Sequence, residues 1–195
     1  MQHPLNIPYK IILGSQSPRR KELLSGLGID FTIEVIPTEE DFDPQQSPEE
    51  IAMSIAIKKG KCFLTQEFQN NHLIITADTI VSIHRKILNK PKDYNEAIEM
   101  IQLLSGNKHT VYTGVCITTS NKQESFVCST DVYFNNLSTA EIEYYIETYQ
   151  PFDKAGSYGV QEWVGYVGID KIEGCFFNVM GLPVNELYKR LKSYT

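Results

Sequence analysis

The run LIITADTIVSI, residues 73–83, constrains the fold more than any other segment. Its apolar and β-branched side chains continue past the point where a half-exposed strand would alternate with polar ones, so it reads as a central strand. Asp78 stands in the middle of it. A carboxylate at such a position is costly unless it is paired, hydrogen-bonded or bound to a metal. An edge position, or a hydrogen bond from Thr76 or Thr79, is the plain structural alternative.

The rest of the chain is organised around that strand. YKIILG (9–14) reads as a short buried strand, and Ser17 with Pro18 opens a helix that stops at the glycines of LLSGLG. FTIEVI (31–36) alternates like a strand. Ser47, Pro48 and Glu50 form a capping-box signature for a long helix, and Asp93 with Glu96 and Ser138 with Glu141 repeat the pattern. HTVYTGVCITT and ESFVCSTDVYF read as two strands of a hairpin around SNKQ. YVGIDKIEG reads as a last strand, followed by a helix after Pro183. Helices alternate with strands early and a hairpin comes later, which predicts an α/β protein with a mixed sheet.

Its 195 residues suit a single domain, with residues 1–8 as a flexible tail and the acidic loop at 37–47 as a second disordered piece. The net charge of −6 argues against non-specific binding to nucleic acid or an anionic membrane. Even so, ten of the 18 Lys and Arg residues fall in the stretches 19–21, 58–61 and 85–92, which keeps a local anion site open. The four cysteines have no paired spacing and read as reduced thiols. With no signal peptide and no apolar run long enough to span a bilayer, the chain reads as cytoplasmic.

Candidate chemistry gathers at element ends. Gly14 to Ser17 joins a strand to a helix N-terminus, where free N–H groups cradle anions, though Ser-Pro turns of this kind are also common without a ligand. Arg19, Arg20 and Lys21 sit in the first turn of that helix, where the dipole disfavours cations unless an anion joins them. Lys90 and Lys92 follow the central region, TEEDFD offers Glu40, and FDKAGSYGVQ gathers Asp153, Lys154 and Gln161. His72, His84 and His109 show no ligand pattern, and Trp163 reads as a packing residue. Cations, carboxylates and an anion-ready turn suit phosphoryl chemistry but name no substrate.

SQSPRRKELL, ADTIV, ILNKPKD, LSGNKHTVYTGV, DKAGSYGVQ and KIEGCFFNVMGLP, in this order from about residue 10 to 192, together resemble the Maf family of nucleoside triphosphate pyrophosphatases. The resemblance implies an elongated mixed β-sheet with flanking helices, two lobes around a cleft, similar to inosine triphosphate pyrophosphatases, and often a homodimer. It implies hydrolysis of a nucleoside triphosphate to monophosphate and pyrophosphate with a divalent metal, Mg2+ or Mn2+. By motif, Asp78 matches the proton acceptor, and Ser15, Arg19, Arg20, Lys59 and Lys90 match triphosphate-binding positions. Glu40, with Asp78, matches a metal or water ligand. Arg19, Thr79 and Gln161 match the positions that select the base.

Arg19 and Gln161 resemble the branch acting on dTTP and UTP, with modified pyrimidine nucleotides as further candidates. A sister branch acting on 7-methyl-GTP carries Trp and Glu there. Physically, one amide meets both the N–H and the carbonyl of uracil, whereas guanine's two adjacent donors suit a carboxylate. The chain departs from the family at Gly60, where alanine is usual and a glycine costs a helix about 1 kcal/mol. It departs again at Glu162, where glycine usually follows the glutamine. The rival class is a nucleotide-binding regulator of cell division, which would need no base at position 78.

Overall fold

The computed structural model describes residues 3–43, 45–64 and 71–195. Seven strands form one mixed sheet in the order β2-β1-β3-β5-β6-β7, with β4 paired to β3. They are β1 (Lys10–Leu13), β2 (Thr32–Ile33), β3 (His72–Ile83), β4 (Lys86–Leu88), β5 (Lys108–Thr118), β6 (Gln123–Phe134) and β7 (Ile169–Glu173). β1 runs parallel to both β2 and β3, and the other pairings are antiparallel. Helices α1 (Pro18–Ser25), α2 (Pro48–Lys61), α3 (Tyr94–Leu104), α4 (Thr139–Tyr149), α5 (Trp163–Val167), α6 (Phe176–Met180) and α7 (Val184–Leu191) complete the α/β architecture. Among the described residues no helix is long and apolar enough to cross a membrane.

β3 is central and buried on both faces. Leu73, Ile75, Ala77, Val81 and Ile83 enter the main core with residues of α1, α3, α4 and α7. Ile80, on the opposite face, packs with Ile51, Ala52 and Ile55 of α2. The strand period therefore turns Asp78 toward α2. In the sheet, Asp78 pairs with Gly114 of β5. A Cβ at Gly114 would lie 2.3 Å from the Ala52 carbonyl oxygen, and one at Gly60 would lie 2.8 Å from Thr118 Oγ1. Two glycines facing each other's elements thus let α2 lie close against β3 and β5.

Ser47 caps α2 through a complete capping box, with acidic Glu49 and Glu50 in the first turn and Lys58, Lys59 and Lys61 in the last, a charge order that complements the helix dipole. Ser138 and Glu141 do the same for α4. The third box is half formed. Asp93 accepts from Glu96 N at 2.9 Å, but Glu96 turns its own carboxylate to Lys92 N at 2.7 Å.

Two other expectations need correction. FTIEVI yields only the two-residue β2, because β1 turns away after Leu13 and Glu34 N–H finds just one further partner, Leu13 O at 3.2 Å. The last strand begins at Ile169, since Trp163–Val167 coils into a helix. Helix α6 has five residues, too few to show a period. Of the segment read as a tail, Met1 and Gln2 lie outside the described residues, Leu5 is buried in the main core, and His3 Nε2 bonds Leu27 O at 2.8 Å. Within the acidic loop, Phe42 packs on the α2 cluster and Asp41 pairs with Lys58, while Pro44 lies outside the described residues. The four cysteines are free, and Cys116 alone among them is buried.

Candidate active site

Beside Asp78 opens a cleft of about 850 Å3, lined from the β1–α1 turn, residues 35–42, α2, β3, the loop after β4, residues 153–161 and the end of α6. Eight charged residues line it: Arg19, Arg20, Lys59, Lys90 and Lys154 against Glu40, Asp78 and Asp153. Five cations to three carboxylates, in a chain of net charge −6, make this a local site for an anion.

Asp78 is 7% exposed. Thr76 spends its hydroxyl on Ala56 O at 2.7 Å, so the alternative of a threonine partner fails there, and Lys59 serves instead. Lys59 Nζ lies 2.7 Å from Asp78 Oδ1 and 2.7 Å from Glu40 Oε1. Burial raises the Asp78 pKa above the ordinary carboxylate value, against the opposing charges of Lys59 and Arg20. Burial acts the same way on Glu40, but there the Lys59 hydrogen bond and the charges of Lys59 and Lys90 win, and its pKa is lowered. Two neighbouring carboxyl groups are thereby pushed apart, one toward proton acceptance and one toward permanent charge.

At the start of α1, Ser17 caps the helix by accepting from Arg20 N. Ser15, buried, accepts from Ser17 N at 3.2 Å and from Arg20 Nη1 at 3.3 Å. The two arginines then diverge. Arg20 points inward and donates to Gly181 O at 2.9 Å, Ala77 O at 2.8 Å and Thr79 Oγ1 at 3.0 Å. Thr79 in turn meets Thr113 Oγ1 at 3.0 Å, and Thr113 donates to Asn178 O. Arg20 therefore ties α1, β3 and the end of α6 together and presents its charge through a fixed frame. Arg19 reaches the cleft mouth and pairs with Asp153 at 2.8 Å. Lys90 lines the cleft after β4, where the Asn89 carbonyl accepts from Gly156 N.

Gln161 also lines the cleft, and its side-chain oxygen is buried without a hydrogen-bond partner. Tyr158 forms part of the wall. Its hydroxyl lies 2.7 Å from His109 Nε2, and burial pushes the His109 pKa down to about 4, so this histidine is a neutral packing partner. Trp163 stacks edge-on against Tyr144 at 5.0 Å, a packing role. Among the described residues no group of three or more His, Cys, Asp and Glu side chains converges as a metal cage. Glu40 and Asp78, which meet at one ammonium, form the available oxygen pair.

The family model for Maf-like proteins matches residues 10–194. A Porphyromonas gingivalis protein named dTTP/UTP pyrophosphatase is 50% identical over 188 residues, covering 95% of this chain and 94% of the relative. One of the same name from Bacteroides thetaiotaomicron is 49% identical over 185 residues, covering 94% and 95%. The chain belongs to the Maf-like family. Among solved structures, the Staphylococcus aureus Ham1 protein aligns with 95% of this chain and 100% of its own at 15% identity and a TM-score of 0.48.

Both departures of this Maf-like chain from the usual family wording have a structural reason. At Gly60 the space an alanine methyl would need is taken by the side chains of Thr118, Thr76 and Cys116. Glu162 does not line the cleft; its carboxylate takes Lys154 Nζ at 3.1 Å and the Tyr145 hydroxyl. Thr113, Asn178 and Tyr145 carried no functional signal in the sequence, since each supports the site through contacts between distant segments, and Glu162 stood out there only as a departure from the family pattern.

Proposed function

We infer that this chain is a dTTP/UTP pyrophosphatase, hydrolysing the nucleoside triphosphate to monophosphate and pyrophosphate in the cleft beside Asp78. The observation that carries the reading is a buried strand carboxylate of raised pKa, paired to Lys59, at the edge of a cation-rich cleft. The two named relatives at 49–50% identity supply the substrate. Water attacks the α-phosphorus and Asp78 accepts its proton, a role that suits a carboxylate tuned upward by burial. Lys59, freed from part of its carboxylate pairing, shares its charge with the phosphates, as do Arg19 and Lys90. Ser15 and the Arg19 backbone N–H in the first turn of α1 meet further oxygens.

Glu40 and Asp78 are hard oxygen donors that fit a magnesium-type ion, which binds through one or two carboxylates and completes its shell with phosphate and water. Such an ion supplies charge neutralisation on the phosphate oxygens. The unpartnered oxygen of Gln161 supports a pyrimidine with an N–H at its base-pairing edge, and the amide nitrogen can donate to the adjacent carbonyl. Uracil and thymine share that edge. Nucleotide substrate and four free thiols support a cytoplasmic setting.

Pyrophosphate release across dTTP, UTP, CTP, GTP and 7-methyl-GTP, with and without Mg2+ or Mn2+, tests the reading. Metal-dependent turnover confined to dTTP and UTP is expected. Binding without turnover on every substrate would replace the enzyme with a nucleotide-binding regulator.

A further inference from the structure

A continuous chain of polar contacts runs from Arg19 in the cleft toward the turn that carries Gln161, and the reaction does not use its links beyond Arg19. It begins at Arg19, whose Nη1 lies 2.8 Å from Asp153 Oδ2. Asp153 Oδ1 lies 2.7 Å from Lys154 Nζ, and that same ammonium lies 3.1 Å from Glu162 Oε1. The other Glu162 oxygen accepts from the Tyr145 hydroxyl on α4. Tyr145 is fully buried and the side chains of Lys154 and Glu162 are 10% and 17% exposed, so the network is shielded at the Tyr145 end, while Asp153, at 56%, meets solvent at the Arg19 end.

The chain closes on itself around Gln161. Tyr145 Oη also accepts from Gly159 N at 2.9 Å, and Glu162 N donates to Gly159 O at 3.0 Å. Residues 159–162 are thus held by three bonds in a ring: backbone to backbone, backbone to Tyr145, and Tyr145 to the Glu162 carboxylate. Gln161 sits inside this ring, and Arg19 sits at the other end of the ion-pair chain. These are two of the three positions matched to base selection.

We propose that Glu162 and Tyr145 are positioning residues for base selection. They clamp the 159–162 turn so that Gln161 meets the nucleobase in one orientation, and through Lys154 and Asp153 they couple that turn to Arg19. The proposal rests on the functional reading above, in which Gln161 reads the pyrimidine edge. Neither residue lines the cleft. A flexible glutamine gains little from hydrogen bonds it must first be ordered to make, so fixing the turn turns a weak contact into a selective one.

The test is steady-state hydrolysis of UTP and CTP by wild type, Glu162→Gln and Tyr145→Phe, with thermal melts of each. Both variants keep side-chain shape while breaking the clamp. The KM for UTP should rise about ten-fold with kcat held within about two-fold, and the UTP-over-CTP ratio of kcat/KM should fall. Wild-type KM and ratio in a folded variant would overturn the proposal and leave the pyrophosphatase reading intact. Loss of a cooperative melt in both variants would overturn it too, making the clamp a requirement of the fold alone. A wild type that hydrolyses neither UTP nor dTTP would remove the functional reading, and this proposal with it.

Discussion

Asp78 is asked to be buried, to accept a proton and to stay close to its conjugate partner Lys59. Burial favours the neutral acid while the ammonium favours the anion, and the balance lies above the ordinary carboxylate pKa. The charged base is available only above that raised value, so the rate should fall on the acid side at a pH higher than the usual value of about 4. Lys59→Met removes the charge that opposes burial. The acid limb of kcat/KM should then move to still higher pH, and the rate at neutral pH should fall by about 10²-fold or more. A pH–rate profile settles this, and an acid limb left in place would separate Lys59 from the base. A raised folded-state pKa also means that Asp78 favours the fold at low pH, and that this contribution is lost as pH rises through the folded value.

At the scale of elements, the site depends on how closely α2 lies on the sheet. Lys59 reaches Asp78 from the last turn of α2, and Gly114 sits opposite Asp78 beneath the first half of that helix. Gly114→Ala would drive a methyl into backbone, the Ala52 carbonyl at 2.3 Å, which no rotamer change relieves. We expect a loss of about 1–3 kcal/mol in stability from this overpacking. We also expect at least about ten-fold in kcat/KM as Lys59 shifts from Asp78. A melt paired with kinetics distinguishes the two, and full activity in a destabilised variant would show that the spacing does not gate catalysis. The sequence marked α2 clearly through its capping box and charge order. It did not mark the close approach: Gly60 reads as a weak helix position until Thr118 is seen beneath it.

Over the whole molecule, the cleft is assembled from segments between Gly14 and Gly181. A ligand that bridges them binds the folded chain alone, so it should stabilise the fold by about 2.7 kcal/mol at a hundred-fold excess over Kd. Asp78→Asn allows this to be measured without turnover. Above the folded-state pKa of Asp78 the variant should melt at or above wild type, because it removes a buried charge whose contribution to the fold is lost in that range, and Lys59 keeps Glu40 as partner. Added UTP with magnesium should raise its melting temperature progressively, and CTP should do so less. Equal shifts from both nucleotides would argue against base reading by Gln161, and rapid UTP turnover by this variant would remove Asp78 from the reaction.

What the sequence determined by itself was local or linear. The central strand, the helix starts, the hairpin and the mixed sheet follow from periodicity and capping, which act within a few residues. The order of six motifs marked the family and the candidate residues. Tertiary structure alone decided how those residues share their charges. Arg19 and Arg20 are neighbours in the chain, yet one faces Asp153 at the cleft mouth and the other is locked against Ala77, Thr79 and Gly181. Glu40 from a loop, Lys59 from α2 and Asp78 from β3 meet at one ammonium. Hydrogen bonds and ion pairs depend on distances of a few ångströms between segments far apart in the chain, and those distances exist only once the sheet and α2 have packed.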